Sequence, residues 1–264
     1  MEFDLVRYEL ADHVATIALN RPEQRNALNP EAYRQLEAAF RQAQSDPEVR
    51  CVLLTGTDPS FCSGDDVKEI MAGPARETTV ASLRQVRPRA TPAAIAVLEC
   101  DRPVIAAVNG PAVGWGMDLT LFCDIRIASE RARFGELFIK RGLVSDIGGL
   151  SRLPQIVGPS KAAELLFTGD IIDAKEAERI GLVSQVVPHD ALLPTARALA
   201  AKIAANPPLA LRYMKEGLRR SRLSDPHELG AWVSQTLATL FQTEDHKEGV
   251  RSFLEKRAPV FKGR

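Results

Sequence analysis

Residues 103–124, PVIAAVNGPAVGWGMDLTLFCD, decide the fold. Within them Val104–Val108 is a nearly continuous apolar run and reads as a buried strand. Asn109-Gly110-Pro111 breaks it. Gly114 and Gly116 flank Trp115, and Met117, Leu119, Leu121, Phe122 and Cys123 then read as a helix that is apolar on most sides. A strand, a glycine turn and a buried helix start leave free N–H groups at the helix head. Their partial positive charge suits a developing anion. Asp118 is the only ionisable side chain between Val104 and Cys123, in the first helical turn. By itself, a carboxylate there does no more than favour the helix dipole.

Working outward, residues 3–10 and 14–20 read as two strands around Ala11-Asp12. Residues 20–29, NRPEQRNALN, form a polar loop, and Asn29-Pro30 then opens a helix that runs to about Gln44. Residues 49–56 form a strand, 57–66 a loop and 67–71 a short helix. Gly73-Pro74 breaks the chain before a polar, Arg-bearing stretch and a helix reaching about Cys100. Beyond the central stretch come a strand at 125–128, an irregular segment at 134–149, helices at 160–167 and 174–180, and a strand at 184–187. Four helical segments follow, at 190–205, 208–221, 226–242 and 244–256. The expected organisation is an α/β core over 1–190 and a helical region over 191–264 that serves packing or assembly.

The 264 residues fit one large domain, or one with a smaller appendage. Basic and acidic side chains balance, 34 against 34, so no net field points to nucleic acid or an anionic membrane. No run of eighteen apolar residues occurs, and the charged, alternating start lacks a signal peptide's apolar stretch. The expected location is the cytoplasm. Cys51, Cys62, Cys100 and Cys123 lack metal-site spacing and read as free thiols. His13, His189, His227 and His246 all read as solvated surface groups.

Two loops share one construction of apolar strand, glycine-containing turn and helix: CVLLTGTDPSFCSGDDVKEI and the central stretch. Placed side by side, each can aim one backbone N–H at a single point, forming an oxyanion hole. Other uses of the glycines fail. GWGMDL is not a dinucleotide fingerprint, since Leu119 stands at the third glycine position. Neither GxxxxGK[ST] nor GxSxG is present.

These loops, together with NRPEQRNALN, FGELFIKRGLVSDIGGLSRLPQIVG, TGDIIDAKEAERIGLVSQVV and FLEKRAPVFKGR, resemble the enoyl-CoA hydratase/isomerase (crotonase) superfamily, in order and over nearly the whole chain. The resemblance implies a spiral of ββα units, a C-terminal helical region, and homotrimers that often pair into hexamers. It implies an acyl-CoA thioester substrate, with coenzyme A entering only as part of it and no metal or other cofactor. The two amide donors fall on Asp65, just after Gly64, and on Trp115, just after Gly114. Both stand where the family has small residues, which a backbone donor tolerates, and Trp115 is expected to narrow the acyl pocket. The contacts to coenzyme A carry over to Arg25 and Ala27 on the first loop, and to Ser63, Gly64, Asp66 and Val67 on the second. Phe261 and Lys262 match a C-terminal segment that often reaches a neighbouring subunit's coenzyme A.

The carboxylates set the chemistry. Hydratases of the family use two glutamates; the first position is Asp118 here, and the second is Phe138, which moves no proton. Glu136 lies two residues from it and is expected to face elsewhere. Eight residues after Phe138 comes Asp146, at a position resembling the catalytic aspartate of certain isomerases of the superfamily. An isomerase needs a carboxylate that takes a proton from one carbon and returns it to another. The expected activity is therefore stabilisation of a thioester enolate, with double-bond migration by Asp146, assisted by Asp118, narrowly preferred. The alternatives are hydration using Asp118 and Asp146, or a non-catalytic acyl-CoA-binding protein. Hydrolysis and decarboxylation would use the same oxyanion hole.

Overall fold

The computed structural model describes residues 4–72 and 90–264, apart from the side chain of Met71. The polar stretch expected after Gly73-Pro74 lies outside these residues. Val104–Val108 is strand β4 of a six-stranded sheet, with every residue buried. Its partners are β1 (Val6–Ala11), β2 (Val14–Leu19), β3 (Cys51–Gly56), β6 (Ile125–Ser129) and β9 (Gln185–Val187), in the order β1-β2-β3-β4-β6-β9. β1 and β2 pair antiparallel around Asp12 and His13, while β2, β3, β4, β6 and β9 run parallel. Parallel strands need both faces covered, which is why β3 and β4 carry apolar residues without alternation.

Helices supply that cover. On one face lie α1 (Pro30–Ser45), α2 (Pro92–Glu99) and α3 (Trp115–Phe122), burying Leu36, Phe40, Val97 and Met117 against Leu54 and Ala106. On the other, α7 (Leu192–Ala204) sets Leu192, Ala196, Ala200 and Ala204 against Leu53, Ile105 and Ile127. Asn29 caps α1, its side chain accepting from the Ala32 N–H, and Pro30 follows at the first helical position, as the sequence signature required.

Because β2, β3 and β4 run parallel, the segments that follow them, starting at Asn20, Thr57 and Asn109, leave from one edge of the sheet. A second, smaller sheet grows there from β5 (Pro111–Val113), β7 (Arg133–Gly135) and β8 (Ile172–Asp173), in that order. The segment expected to be irregular thus contains β7, a tight turn over Leu137–Arg141 and a wide helical turn over Gly148–Arg152. Further along lie α4 (Leu153–Val157), α5 (Pro159–Thr168) and α6 (Ala174–Arg179).

The last helices are α8 (Pro208–Arg220), α9 (Pro226–Leu240) and α10 (Glu244–Glu255). α8 is fastened to the core by buried Lys215, whose ammonium lies 2.7 Å from Asp124 Oδ2 and also donates to the Arg102 carbonyl. Between α8 and α9 lies an apolar groove of about 500 Å³ built on Tyr213, Met214, Leu218, Trp232 and Leu237. Among the described residues no helix is long and apolar enough to cross a membrane.

Candidate active site

Two of the edge loops are tied together strand-fashion. Ser63 N–H donates to the Arg25 carbonyl at 3.1 Å, Leu28 N–H to Gly64 at 2.8 Å and Asp66 N–H to Leu28 at 2.8 Å. Arg21 crosses both, donating to the Ala27 carbonyl at 2.6 Å and pairing with Asp66 Oδ2 at 3.1 Å. Asp66 also accepts from the Lys68 and Glu69 N–H groups, capping the short helix at Val67–Met71. Arg25, Ala27, Ser63, Gly64, Asp66 and Val67 are therefore gathered in one place.

The second and third loops also touch. The backbone is so close at Gly64 that a Cβ there would lie 2.9 Å from the Val113 carbonyl and 3.3 Å from the Trp115 nitrogen. At Gly116 a Cβ would come within 2.1 Å of the Cys62 carbonyl. Asp65 and Trp115 follow the two turning glycines. Among the described residues neither backbone N–H has an acceptor, and that of Trp115 heads α3, where no intrahelical partner exists. Both residues line a narrow cleft of about 20 Å³, together with Gly114, Leu137, Phe138 and Arg141. That is room for about one water molecule. A larger cavity, of about 520 Å³, lies by His189 and Arg197 and includes none of Asp118, Glu136 and Asp146.

Three acids cluster around the turn at residues 145–149, and none of them lines the narrow cleft either. Asp118, in α3, is wholly buried; its Oδ1 accepts from Gly149 N–H at 2.5 Å and its Oδ2 has no partner among the described residues. Burial first, then the neighbouring Glu136 charge, pushes this carboxyl well above the usual range. Asp146 is half-buried and accepts from the Trp115 indole Nε1–H at 2.9 Å, the Ile147 N–H at 2.7 Å and the Thr91 hydroxyl at 3.5 Å. The Trp115 ring is itself buried, edge-on to Tyr33 at 4.7 Å between centroids. Tyr33 in turn donates its hydroxyl to Asp65 Oδ1 at 2.6 Å, and burial, with the Asp65 charge, raises the phenol's pKa.

The third acid, Glu136, corrects the sequence reading. It does not face elsewhere: it is 1 % exposed, accepts from the Ser145 hydroxyl at 3.0 Å and leaves Oε1 without a partner among the described residues. Burial pushes it up to about 7, against the Ser145 bond that favours the ionised form, with the Asp146 charge adding to the rise. No periodic signal gave this away, since Glu136 lies just past β7 and caps the turn over Leu137–Arg141, while Phe138 within that turn lines the cleft.

Other expectations fared differently. His189 is not merely solvated, since its ring lies 3.1 Å from Ser129 Oγ and 3.1 Å from Asp58 Oδ2. The cysteines are free and all four are buried. Phe261 and Lys262 are not brought to the cleft within one chain. The Phe261 carbonyl accepts from Arg50, which precedes β3 at the far end of the sheet, and Lys262 N–H donates to Asp245.

Comparison with known proteins agrees with this architecture. The family profile described as Enoyl-CoA hydratase/isomerase matches residues 9–264. The (E)-benzylidenesuccinyl-CoA hydratase of Thauera aromatica is 39% identical over 261 residues, covering 98% of this chain and 99% of its own. The 2,3-dehydroadipyl-CoA hydratase of Escherichia coli K12 is 39% identical over 251 residues, covering 95% and 96%. The crystal structure of an enoyl-CoA hydratase from Bacillus anthracis superposes with a TM-score of 0.87 at 34% identity, covering 98% of this chain and 100% of that one. A sheet with parallel strands feeding adjacent glycine turns, closed by a helical C-terminal region and matched from end to end, makes this chain an enzyme of the enoyl-CoA hydratase/isomerase family, with the crotonase fold.

Proposed function

We propose that the chain binds an acyl-CoA thioester with its carbonyl oxygen between the Asp65 and Trp115 N–H groups and stabilises the enolate formed there. The observation that supports this reading is the close contact of the two turns at Gly64, beside two amides that lack an acceptor among the described residues and line one cleft. Losing one such donor in a known case costs roughly 2.7–4 kcal/mol of transition-state stabilisation. Arg25, Ala27, Ser63, Gly64, Asp66 and Val67, held as one unit beside the cleft, are the proposed contacts to coenzyme A. A homotrimer or hexamer would bring Phe261 and Lys262 of one copy to the site of another, and would cover the apolar groove between α8 and α9.

Within this reading Asp146 takes a proton from one carbon of the bound enoyl chain and returns it to another, moving the double bond, with Asp118 alongside. Phe138 on the cleft wall favours migration over hydration, because it replaces the second proton-handling carboxylate with a ring. Hydration is the second reading. The names of the curated relatives favour it, and Asp118 and Asp146 would then be its two carboxylates. Assaying the protein with 2-enoyl- and 3-enoyl-CoA esters separates the two. Interconversion of the esters that is lost in Asp146→Asn is the expected result; rapid water addition that survives Asp146→Asn overturns it. Tight binding of the ester with no turnover and no deuterium exchange next to the thioester would instead mark a non-catalytic binder.

A further inference from the structure

Glu136 is a buried acid that the proton transfer above leaves without a task. We propose that Glu136 is a titrating positioning residue: paired with Asp118 around the turn at residues 145–149, it holds the proton that keeps a second negative charge away from Asp146. This inference rests on the enolate reading.

The three carboxyl groups are gathered on one turn, residues 145–149. Ser145 donates to Glu136 Oε2, Gly149 N–H to Asp118 Oδ1 and Ile147 N–H to Asp146 Oδ1. Consecutive glycines let the turn close on two acids at once. A Cβ at Gly148 would lie 2.1 Å from Asp118 Oδ1, and one at Gly149 would lie 3.0 Å from the Glu136 carboxyl carbon. Asp118 Oδ2 and Glu136 Oε1 are both buried with no partner among the described residues. A buried, unpartnered oxygen penalises the charged form more than the neutral one, so these two carboxyl groups are the ones suited to hold a proton. Asp146 differs in that neither oxygen is orphaned: Oδ1 accepts from the Ile147 N–H, and Oδ2 from the Trp115 indole and the Thr91 hydroxyl.

Charge points the same way. Asp146 is the charged group that bears on Glu136, both bear on Asp118, and no basic side chain among the described residues bears on Glu136. Like charges buried together do not all ionise. Glu136 therefore keeps its proton up to about pH 7, and because Asp118 is raised in the same direction, the proton lost there belongs to the pair. Above that point a second anion faces Asp146 and the forming enolate, and turnover falls.

Infrared spectroscopy of the full chain, with its aspartates and glutamates isotopically labelled, reads the proton without needing turnover. The wild type should show a protonated carboxyl band that disappears around pH 7. Glu136→Gln, a near-isosteric neutral mimic, should lose that transition. Ser145→Ala removes a bond that favours the ionised form, so the transition should move to higher pH. The high-pH limb of kcat should follow the band. In Glu136→Gln the ratio of kcat at about pH 9 to that at about pH 6 should rise roughly tenfold, with KM little changed. A transition near pH 7 that persists unchanged in Glu136→Gln overturns the proposal, as does a wild type with no protonated carboxyl above about pH 5. A merely structural role would scale kcat without moving the limb or the band. Failure of the enolate reading shows separately, as wild-type protein that exchanges no deuterium at the carbon beside the thioester.

Discussion

The indole Nε1–H of Trp115 donates to Asp146 Oδ2 at 2.9 Å, while the backbone N–H of the same residue heads α3 beside Gly64 with no acceptor among the described residues. In the proposed binding mode, one residue thus offers a main-chain donor to a thioester oxygen and a side-chain donor to the candidate base. The spacing between the Trp115 amide and Asp146 is therefore fixed by a single rigid group, packed between Tyr33 and Phe122.

Trp115→Phe separates these two functions, because it keeps the amide and removes the indole donor. A hydrogen bond to a charged group contributes about 1.5–3 kcal/mol. The expected result is a kcat lower by about 10–100-fold with KM within about threefold, measured on the enoyl-CoA ester turned over fastest. Unchanged kcat would show that the indole does not position Asp146.

Gly149→Ala tests the close packing of the turn. Its Cβ would lie 2.1 Å from Ser145 Oγ and 3.0 Å from the Glu136 carboxyl carbon, in a wall without free space. Overpacking of this kind costs about 1–3 kcal/mol. Urea unfolding should show the midpoint falling accordingly, and turnover should fall with it.

Stability should depend on pH through Glu136. Its folded-state pKa, about 7, lies above the value near 4.5 of the free side chain, so the folded state binds more protons between those limits. Stability is therefore highest below about pH 4.5 as far as this group is concerned, and declines as pH rises to about 7, by about 3 kcal/mol. Asp118, shifted in the same direction, adds to the decline. Unfolding free energies measured by urea titration across this range should show the slope in wild type and a shallower one in Glu136→Gln. Equal slopes would contradict the assignment.

Lys215→Met tests how α8 is held. Nζ is 2.7 Å from Asp124 Oδ2, the same oxygen that accepts from the Val104 N–H at the head of β4. Breaking a buried ion pair costs about 3–5 kcal/mol, and the lower end applies because Asp124 still reaches water. The expected outcome is a lower thermal midpoint, with loosening of α8 seen first in hydrogen exchange.

Much of the site was legible because it is local. The run from Val104 to Val108, the break at Asn109-Gly110-Pro111 and the helix start at Trp115 are neighbours in the chain. The cap at Asn29-Pro30 and the four closing helices are also set by short-range signals. Glu136 was misjudged because its direction depends on where β7 ends and the next turn begins, a boundary that periodicity leaves open. His189 was misread for a related reason: Ser129 and Asp58, its partners, lie 60 and 131 residues away in sequence.

The alternation of strands and helices and the two glycine turns were legible in the chain alone, since each is written within a few adjacent residues. Folding in three dimensions was needed to show that Trp115 grips Asp146 and that Asp118 and Glu136 both bond to the turn at residues 145–149. Parallel strands bring together loops distant in the chain, and burial changes what a carboxyl group does once it arrives.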